Sequence, residues 1–378
     1  MNKNIPIFFA TDDGYIPFLA VALESIKQNA SKGYKYLIKV LCNKHNVSKA
    51  NIQKIYKFND ENFDIEFVDV SSKQAEINSK MHTRDYYSKA TYYRIYIPEL
   101  FPNFDKALYL DCDIIVKGDI SELYNIDLED NYIGAISDGS ILCIKEFQDY
   151  VINCIGVDRY EDYINAGILV LNTKKLREIK FEDLFISALT LTTFDVAQDQ
   201  DYINAICKGH IKYIGEEWDK MPIRETIKEE DIKIIHYNLN FKPWLVSDVM
   251  YSNYFWKYAK QTEFFDYINL MKANRTKEMQ DKEALTTQRL ILNAKEQAEN
   301  SFLNLERLTK IKTIIKEFKK QGTLISFDVN YRANLWTGAE ARKCIETILP
   351  YVDIFFCSED ILPFYIRKSN GLFKNLSG

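Results

Sequence analysis

The sequence predicts an α/β domain built on a mainly parallel β-sheet. At the N-terminus, an apolar run at residues 5–10 is followed by a polar turn and by a segment, 15–29, with apolar residues at helical spacing. Strand-like and helix-like segments then alternate along the chain. In addition, 47% of the residues are hydrophobic, which is ample material for a buried core.

Six further strands are predicted in chain order, at residues 36–42, 63–70, 106–110, 132–136, 164–171 and 232–236. A helical pattern at residues 49–57 lies between two of them. From Ser252 to about Lys320 the chain is rich in Lys, Glu and Gln and poor in strand formers. This composition indicates helices with solvated, charged faces.

The C-terminal segment predicts a partial second α/β unit. Gly322 ends a helix, residues 324–329 and 352–357 are strand-like, and residues 339–349 are helical. Two strands cannot cover both faces of a sheet. The predicted organisation is therefore a main domain at 1–250, a helical extension or linker at 251–320, and a partial, non-functional fragment at 321–378.

Composition excludes several functional classes. The formal net charge is -5, from 49 basic and 54 acidic residues, which argues against a general nucleic-acid binder. The seven cysteines are widely spaced and include no C-x-x-C pair, so they are expected to be reduced thiols. Neither a signal peptide nor an apolar stretch of about 20 residues is present. We expect a cytoplasmic protein, either soluble or peripheral at the inner face of the membrane.

The most informative local motif is an acidic pair, Asp111 and Asp113, inside the apolar stretch 108–116. In an unbroken strand both side chains would point to the same face. Burying two carboxylates without a partner costs several kcal/mol, so the pair needs a cation, a basic residue or solvent. Hard oxygens suit Mg²⁺ or Mn²⁺. The alternative is that one aspartate caps a turn and the other is exposed.

His236 lies at the end of a predicted strand. An imidazole added to two carboxylates would favour Mn²⁺ over Mg²⁺. The alternative is an ordinary core or surface histidine.

Several motifs occur in an order that is more specific than the acidic pair alone. They are Phe9–Tyr15 (FATDDGY), Ser88–Arg94 (SKATYYR), Asp111–Asp113 (DCD), Tyr163–Leu169 (YINAGIL), Ala197–Asn204 (AQDQDYIN), His236-Tyr237 and Lys242–Trp244 (KPW). Together they resemble glycosyltransferase family 8, which includes lipopolysaccharide galactosyltransferases and glucosyltransferases and glycogenin. The resemblance covers residues 5–305 and implies a GT-A fold.

The resemblance implies a retaining, metal-dependent hexosyltransferase of polysaccharide biosynthesis. The donor would be UDP-glucose or UDP-galactose, and the acceptor a cell-envelope glycan or glycolipid that the sequence does not identify. The oligomeric state is equally unspecified. The alternatives are a non-catalytic nucleotide-sugar binding protein and a bifunctional transferase and sugar kinase.

The same resemblance assigns roles to single residues. Mn²⁺, or Mg²⁺ in its place, would be bound by Asp111, Asp113 and His236. Asp199 and Gln200 would be the catalytic residues beside the transferred sugar. The donor would contact Ala10, Asp12, Tyr15, Arg94, Asp111, Cys112, Asn165, Ala166 and Lys242. Each motif also has a plainer interpretation, such as a turn that starts a helix at Asp12, a surface salt bridge at Arg94 or a helix N-terminus at Asp199.

The implied mechanism is same-face transfer, in which the departing phosphate takes the acceptor proton. A covalent intermediate on Asp199 is the rival hypothesis. Two positions depart from the family pattern: Leu239 stands where some members have glycine, and Asp219 stands where asparagine is more usual.

The C-terminal fragment resembles a second family. Residues 324–336 and 350–354 are similar to the middle of ribokinase-like (PfkB) sugar kinases, including the D-x-N-x-R segment at Asp328, Asn330 and Arg332. The first half of that family, its Gly-rich anion loop, its catalytic aspartate and its ATP site have no counterpart. We therefore expect no kinase activity.

Overall fold

A computed structural model describes residues 3–77, 89–301, 305–328 and 345–356 of the chain. Backbone contacts divide the protein into two compact units, Met1–Glu296 and Gln297–Gly378. This division falls inside the predicted helical extension. The functional boundaries at residues 250 and 320 stay predictions.

The first unit contains nine of the strands that the structure describes and most of the helices. The strands are β1 (Lys3–Ala10), β2 (Tyr34–Cys42), β3 (Phe63–Asp69), β4 (Ala107–Leu110), β5 (Ile114–Val116), β6 (Ile133–Ser137), β7 (Ile164–Leu171), β8 (Ile211–Tyr213) and β9 (Ile234–His236). The helices are α1 (Ile16–Asn29), α2 (Lys49–Tyr56), α3 (Ser71–Ile77), α4 (Ile97–Leu100), α5 (Ile120–Asn125), α6 (Lys145–Tyr150), α7 (Thr173–Glu178), α8 (Phe181–Leu191), α9 (Asp199–Cys207), α10 (Ser252–Ala259), α11 (Phe265–Ala273) and α12 (Lys277–Asn300), the last of which crosses the unit boundary.

Seven strands form one sheet in the order β3-β2-β1-β4-β7-β6-β8. β3, β2, β1 and β4 are parallel, β6 and β8 are parallel, and β7 is antiparallel to both of its neighbours. The predicted α/β class and mainly parallel sheet are therefore confirmed. The strands predicted from residues 5, 36, 63, 106, 132, 164 and 232 onward all form, with ends shifted by at most two residues.

The core lies on both sides of the central strands. β1 is buried along Ile5–Phe9, because its neighbours β2 and β4 cover its edges and helices cover its faces. α1 is buried along nearly its whole length, and Phe18 stacks on Trp244 with ring centroids 3.9 Å apart. This packing anchors the loop after β9 against the first helix of the domain.

The stretch 108–116 is not an unbroken strand, so the condition under which both carboxylates would point to the same face is not met. β4 ends at Leu110, and β5 leaves the main sheet to pair antiparallel with β9, with Ile114 opposite His236. Within the bend, the Asp111 N–H donates to the Gly167 carbonyl and the Asp113 carbonyl accepts from the Tyr237 N–H. The backbone therefore stays hydrogen-bonded while both carboxylates are released from the interior of the sheet.

The second unit contains α13 (Leu305–Lys320) and the parallel pair β10 (Ser326–Asp328) and β11 (Ile354–Phe356). Gly322 has a φ of 81° after α13, as expected for a residue that ends a helix. The predicted helix at 339–349 is described only from residue 345, and Asn330 and Arg332 lie outside the described residues. Among the described helices, none is long and apolar enough to cross a membrane.

Candidate active site

A cavity of about 410 Å³ opens at the carboxyl edge of the main sheet. Its walls come from the ends of β1, β4 and β6, the start of β7, the N-terminus of α9 and the loop after β9. Ligand sites in open α/β sheets lie at this edge. All thirteen predicted site residues line the cavity: Ala10, Asp12, Tyr15, Arg94, Asp111, Cys112, Asp113, Asn165, Ala166, Asp199, Gln200, His236 and Lys242. Their individual roles stay predictions.

Asp111, Asp113 and His236 form a cluster suited to a metal ion. One ligand atom of each lies within 4.8 Å of the others, and His236 Nε2 is 3.4 Å from Asp113 Oδ1. A Cβ added to Gly167 would overlap the His236 ring and lie 2.7 Å from Asp111 Oδ2. The cluster therefore fits only against a glycine. Two hard oxygens and one imidazole nitrogen form a donor set that Mn²⁺ accepts.

We call the part of the cavity around Asp111, Asp113 and His236 the metal-binding end, and its buried charges compensate one another. Burial raises the pKa of Asp113, but Lys242 and His236 outweigh it and hold that pKa below its ordinary value. Burial would lower the pKa of His236, yet Asp219 and Asp113 hold it well above its ordinary value. The Lys242 ammonium donates to Asp113 and, at 2.9 Å, to the Tyr237 carbonyl. A fixed cation thus lies directly beside the predicted metal ligands.

We call the part of the cavity around Gln200, Asn165 and Asp138 the sugar end, because residues there are predicted to contact the sugar. Hydrogen bonds between neutral amides, the backbone and a carboxylate connect these residues. Gln200 Oε1 accepts from the Ala166 N–H at 2.9 Å, while Nε2 donates to Asp138 Oδ2 at 2.8 Å. Asn165 Oδ1 accepts from the Gly167 N–H at 2.8 Å, and Asn165 Nδ2 lies 3.4 Å from Asp138 Oδ2. One hydrogen-bond network therefore positions the segment Asn165–Gly167.

Asp138 was not among the sequence-predicted site residues. It directly follows β6, whose carboxyl end lies at the same edge as those of β1 and β4. Its Oδ1 accepts from Ser140 N–H at 2.9 Å, as an ordinary turn aspartate does. The signal that could have found it is its position, a carboxylate at the carboxyl end of a strand.

Arg94 and Asp199 connect the two ends of the cavity. The Arg94 guanidinium lies 2.9 Å from Asp199 Oδ2 and 3.3 Å from Asp111 Oδ1, and it donates to the Ala166 carbonyl. Thr91 Oγ1 donates to Asp199 Oδ1 at 2.5 Å. Burial raises the pKa of Asp199 to about 6, although Arg94 and Thr91 act in the opposite direction. Arg94 is thus buried in the site, and the surface salt-bridge alternative is wrong.

The first predicted donor loop forms a tight turn. Asp12 Oδ1 accepts from the N–H groups of Gly14 at 3.0 Å and Tyr15 at 3.3 Å, so Asp12 does shape the start of α1. Its other carboxylate oxygen is not used in these bonds. Cys112 is buried with its sulfur 3.5 Å from the Ala10 carbonyl, and burial raises the pKa of its thiol well above the ordinary value. Cys112 therefore contributes shape to the cavity wall and no thiolate.

The two departures from the family pattern have structural consequences. Leu239 has a φ of 51°, the left-handed backbone that glycine adopts most easily. The loop therefore keeps this conformation without a glycine. Asp219 is buried outside the cavity wall, and its Oδ1 lies 2.9 Å from His236 Nδ1.

Comparison with known proteins agrees with this fold. Residues 6–247 match the sequence model of glycosyl transferase family 8, which is more than half of the chain, and the protein belongs to that family. It is therefore a glycosyltransferase, and the first predicted resemblance is confirmed at the level of the family. The matched region ends at residue 247, and the ribokinase-like resemblance of the C-terminal fragment stays a prediction.

Three curated relatives are similar over different shares of their length. A putative glycosyltransferase of Haemophilus influenzae is 29% identical in an alignment that covers 68% of this chain and 74% of the relative's length. The probable galacturonosyltransferase 14 of Arabidopsis thaliana is 29% identical over 50% of this chain and 39% of its own. The lipopolysaccharide 1,2-glucosyltransferase of Escherichia coli is 26% identical over 42% of this chain and 50% of its own length.

Two solved structures share the fold. The apo structure of WbbM, a bifunctional glycosyltransferase, aligns with a TM-score of 0.63 at 24% identity, over 72% of this chain and 52% of that one. The galactosyltransferase LgtC, solved with donor and acceptor sugar analogues, aligns with a TM-score of 0.56 at 25% identity, over 68% of this chain and 96% of that one. These likenesses confirm the predicted GT-A fold.

Proposed function

We propose that this glycosyltransferase moves a neutral hexose from a UDP-sugar to a glycan or glycolipid acceptor, with Mn²⁺ bound by Asp111, Asp113 and His236. The observation that carries the proposal is that the metal-binding cluster and the amide-rich network around Asp138 share one cavity. A diphospho-sugar needs a cationic end for its phosphates and a hydrogen-bonding end for its hydroxyl groups. The cavity offers both.

The diphosphate belongs at the metal-binding end. A divalent cation there would neutralise the charge that develops on the leaving phosphate, the usual contribution of metals to phosphate departure. Lys242 is buried within hydrogen-bond reach of the same cluster. It would add a second, fixed positive charge that needs no reorganisation during the reaction.

The sugar end favours a neutral hexose over a uronic acid. Asp138 and Asp199 place two carboxylates there, and Gln200 and Asn165 supply neutral amides. Arg94 is 2.9 Å from Asp199 and 3.3 Å from Asp111, so its charge is already shared between two carboxylates. A sugar carboxylate would meet like charges at this end. Glucose and galactose, which are uncharged, fit better than galacturonate.

The position of Asp199 supports same-face transfer. A nucleophilic carboxylate must present an electron-rich oxygen to the anomeric carbon. Asp199 Oδ1 accepts from Thr91, and Oδ2, which accepts no hydrogen bond among the described residues, is paired with the positive charge of Arg94 at 2.9 Å, which lowers its nucleophilicity. In this arrangement Asp199 and Gln200 would line the positively charged sugar, and the departing phosphate would take the acceptor proton. Mass spectrometry that traps a glycosyl group on Asp199 would overturn this version.

The wider role follows from the family. The acceptor is proposed to be a cell-envelope glycan or glycolipid, as the name of the Escherichia coli relative indicates for that protein. The cavity wall facing the sugar end includes Ile141, Ile144 and Phe147, an apolar surface that suits the carbon face of a sugar acceptor. We further propose a cytoplasmic site of action, including the inner membrane face, and a C-terminal fragment without kinase activity.

The decisive experiment is UDP release by the purified full chain. UDP-glucose, UDP-galactose and UDP-galacturonate are each supplied with Mn²⁺, Mg²⁺ or EDTA, with glycolipid and oligosaccharide acceptors included. We expect release from one neutral donor, strongest with Mn²⁺ and absent with EDTA.

The matched variants are Asp111→Ala, which removes a proposed metal ligand, and Asp64→Asn, which changes an exposed aspartate on β3. Asp111→Ala should abolish release and Asp64→Asn should leave it unchanged. Release that persists in EDTA would contradict the metal assignment. Tight UDP binding without any turnover would instead indicate a nucleotide-sugar binding protein.

A further inference from the structure

Asp219 is a buried carboxylate immediately behind the predicted metal ligands. It lies at the end of a single helical turn, Glu216–Trp218, and its side chain is fully enclosed. It does not line the cavity and is not one of the three clustered ligands. A buried charge normally requires a partner.

That partner is the far side of the His236 ring. Asp219 Oδ1 lies 2.9 Å from Nδ1, while Nε2, on the opposite side of the ring, faces Asp113 Oδ1 at 3.4 Å and Asp111 Oδ2 at 3.9 Å. A carboxylate can only accept from Nδ1. The Nδ1–H tautomer leaves the Nε2 lone pair directed at the cluster, where a cation would bind.

The backbone fixes Asp219 relative to the histidine. The next residue, Lys220, bridges to β9: its N–H donates to the Ile234 carbonyl at 2.9 Å, and its carbonyl accepts from the His236 N–H at 3.0 Å. The Asp219 N–H donates to the Glu216 carbonyl at 3.1 Å. The two backbone hydrogen bonds of Lys220 therefore hold the segment that carries Asp219 beside the strand that carries His236, and the ring has little freedom to turn.

The chemistry of the side chain distinguishes Asp219 from an amide. Its second oxygen, Oδ2, is buried and has no hydrogen-bond partner among the described residues. An asparagine would also accept from Nδ1–H and would avoid the cost of a buried charge. A full negative charge behind the ring adds something that the amide lacks, because it increases electron donation by the imidazole to a cation on the other side.

We propose that Asp219 is a positioning residue that orients His236 and strengthens it as a ligand, and so sets the affinity of the site for Mn²⁺ and its preference for Mn²⁺ over Mg²⁺. This inference rests on the proposed function, because it assumes the Asp111–Asp113–His236 metal site. Mn²⁺ binds imidazole nitrogen more readily than Mg²⁺ does. Changes behind the histidine therefore affect Mn²⁺ more.

The test measures metal binding directly, without turnover. The full chain is titrated with Mn²⁺ alone, and free Mn²⁺ is followed by electron paramagnetic resonance; Mg²⁺ binding is measured by competition. Asp219→Asn preserves shape and removes the charge. We expect it to weaken Mn²⁺ binding by about 10-fold or more, as is typical when such a partner is lost, and to weaken Mg²⁺ binding less.

A double-mutant cycle with His236→Gln separates positioning from general stability. If Asp219 acts through His236, Asp219→Asn has little further effect on Mn²⁺ binding once His236 is replaced. Equal losses in both backgrounds would show a merely structural role and overturn the inference. Mn²⁺ affinity within two-fold of the parent protein in Asp219→Asn would also overturn it.

A second measurement needs no variant. The chain has only four histidines, so ¹⁵N-histidine labelling of the Mg²⁺-loaded protein gives a simple spectrum. We expect the buried His236 to carry its proton on Nδ1, and a proton on Nε2 would overturn the inference. Failure of the parent protein to bind either metal would refute the proposed metal site itself, whereas normal binding by Asp219→Asn would refute only the role of Asp219.

Discussion

The two ends of the cavity satisfy their polar groups in different ways. At the metal-binding end, Asp111, Asp113 and His236 converge and a single ammonium, Lys242, contacts Asp113. At the sugar end, Gln200 and its amide and carboxylate neighbours form a hydrogen-bond network within the protein. The first arrangement is organised around charge and the second around geometry.

This difference has a functional meaning. Converging carboxylates repel each other, so the metal-binding end gains most from a bound cation. A network whose donors and acceptors are matched keeps its shape without ligand, and it can act as a preorganised template for sugar hydroxyls. Substitutions at the two ends should therefore separate metal binding from turnover, and the predictions below test that separation.

The largest effect is expected for Asp113→Asn. It removes the carboxylate that contacts both His236 and Lys242, while leaving the shape of the side chain unchanged. Loss of several kcal/mol of charge stabilisation should lower kcat/KM by about 10³-fold. Mn²⁺ binding should fall in parallel, measured by calorimetry. The circular dichroism spectrum should match that of Asp64→Asn, and an inactive variant that still binds Mn²⁺ normally would contradict the assignment of Asp113.

Gln200→Ala should lower turnover and leave metal binding intact, unlike Asp113→Asn, which should lower both. It breaks the bridge between the Ala166 N–H and Asp138, so the sugar template loosens by a fraction of an ångström to an ångström. A misplacement of this size lowers kcat by about 10²-fold. Mn²⁺ affinity should stay within two-fold of the parent protein. If metal binding also fell strongly, the two ends would not be separable and the comparison would fail.

The acid limb of the pH–rate profile tests the residue that connects the two ends. Burial raises the pKa of Asp199 to about 6, and only the carboxylate form can stabilise a positively charged sugar. The rate should therefore fall as the pH falls through about 6. Thr91→Val removes a hydrogen bond that favours the carboxylate, so the limb should move to higher pH by about one pH unit.

Thr91→Ser is the matched control for this profile, because it keeps the hydroxyl and should leave the limb in place. A limb that moves equally in Thr91→Ser and Thr91→Val would point to packing and not to the hydrogen bond. An acid limb unaffected by either variant would assign the titration to another group.

The sequence could predict the parts of the fold that have a local apolar pattern, and not the parts that depend on a distant partner. β1 and β7 were visible because their apolar runs are long and buried on both faces, and β3 because its buried apolar residues alternate with exposed ones at its start. β8, with only three half-buried or exposed residues at the sheet edge, left no such pattern. The predicted strand at 106–110 ends where β4 ends, but β5 was not predicted because it depends on pairing with β9, more than a hundred residues away in the chain. Local pattern carries no information about such a partner.

The site residues also differ in how far the sequence alone could identify them. A carboxylate pair inside an apolar stretch is chemically conspicuous, so Asp111 and Asp113 could be proposed from the residues alone. Asn165 and Gln200 could be proposed only through the family resemblance, because amides within a strand or helix are unremarkable. Asp138 lacked even that signal, and the resemblance marked Asp219 only as a departure from the family pattern, without a role. Each follows a short element, and its contact is with a residue 62 or 17 positions away.

The smallest expected effect concerns Leu239, in the loop that carries Lys242. Its φ of 51° disfavours every residue with a Cβ, by about 1 kcal/mol relative to glycine. Leu239→Gly should therefore be more stable than Leu239→Ala by about 1 kcal/mol in chemical denaturation, the reverse of the usual order. The same pair of substitutions at Lys282, an exposed position in α12, should favour alanine. If alanine were preferred at both positions, the left-handed backbone beside Lys242 would be wrong, and with it the route by which this loop brings the ammonium to the metal-binding end.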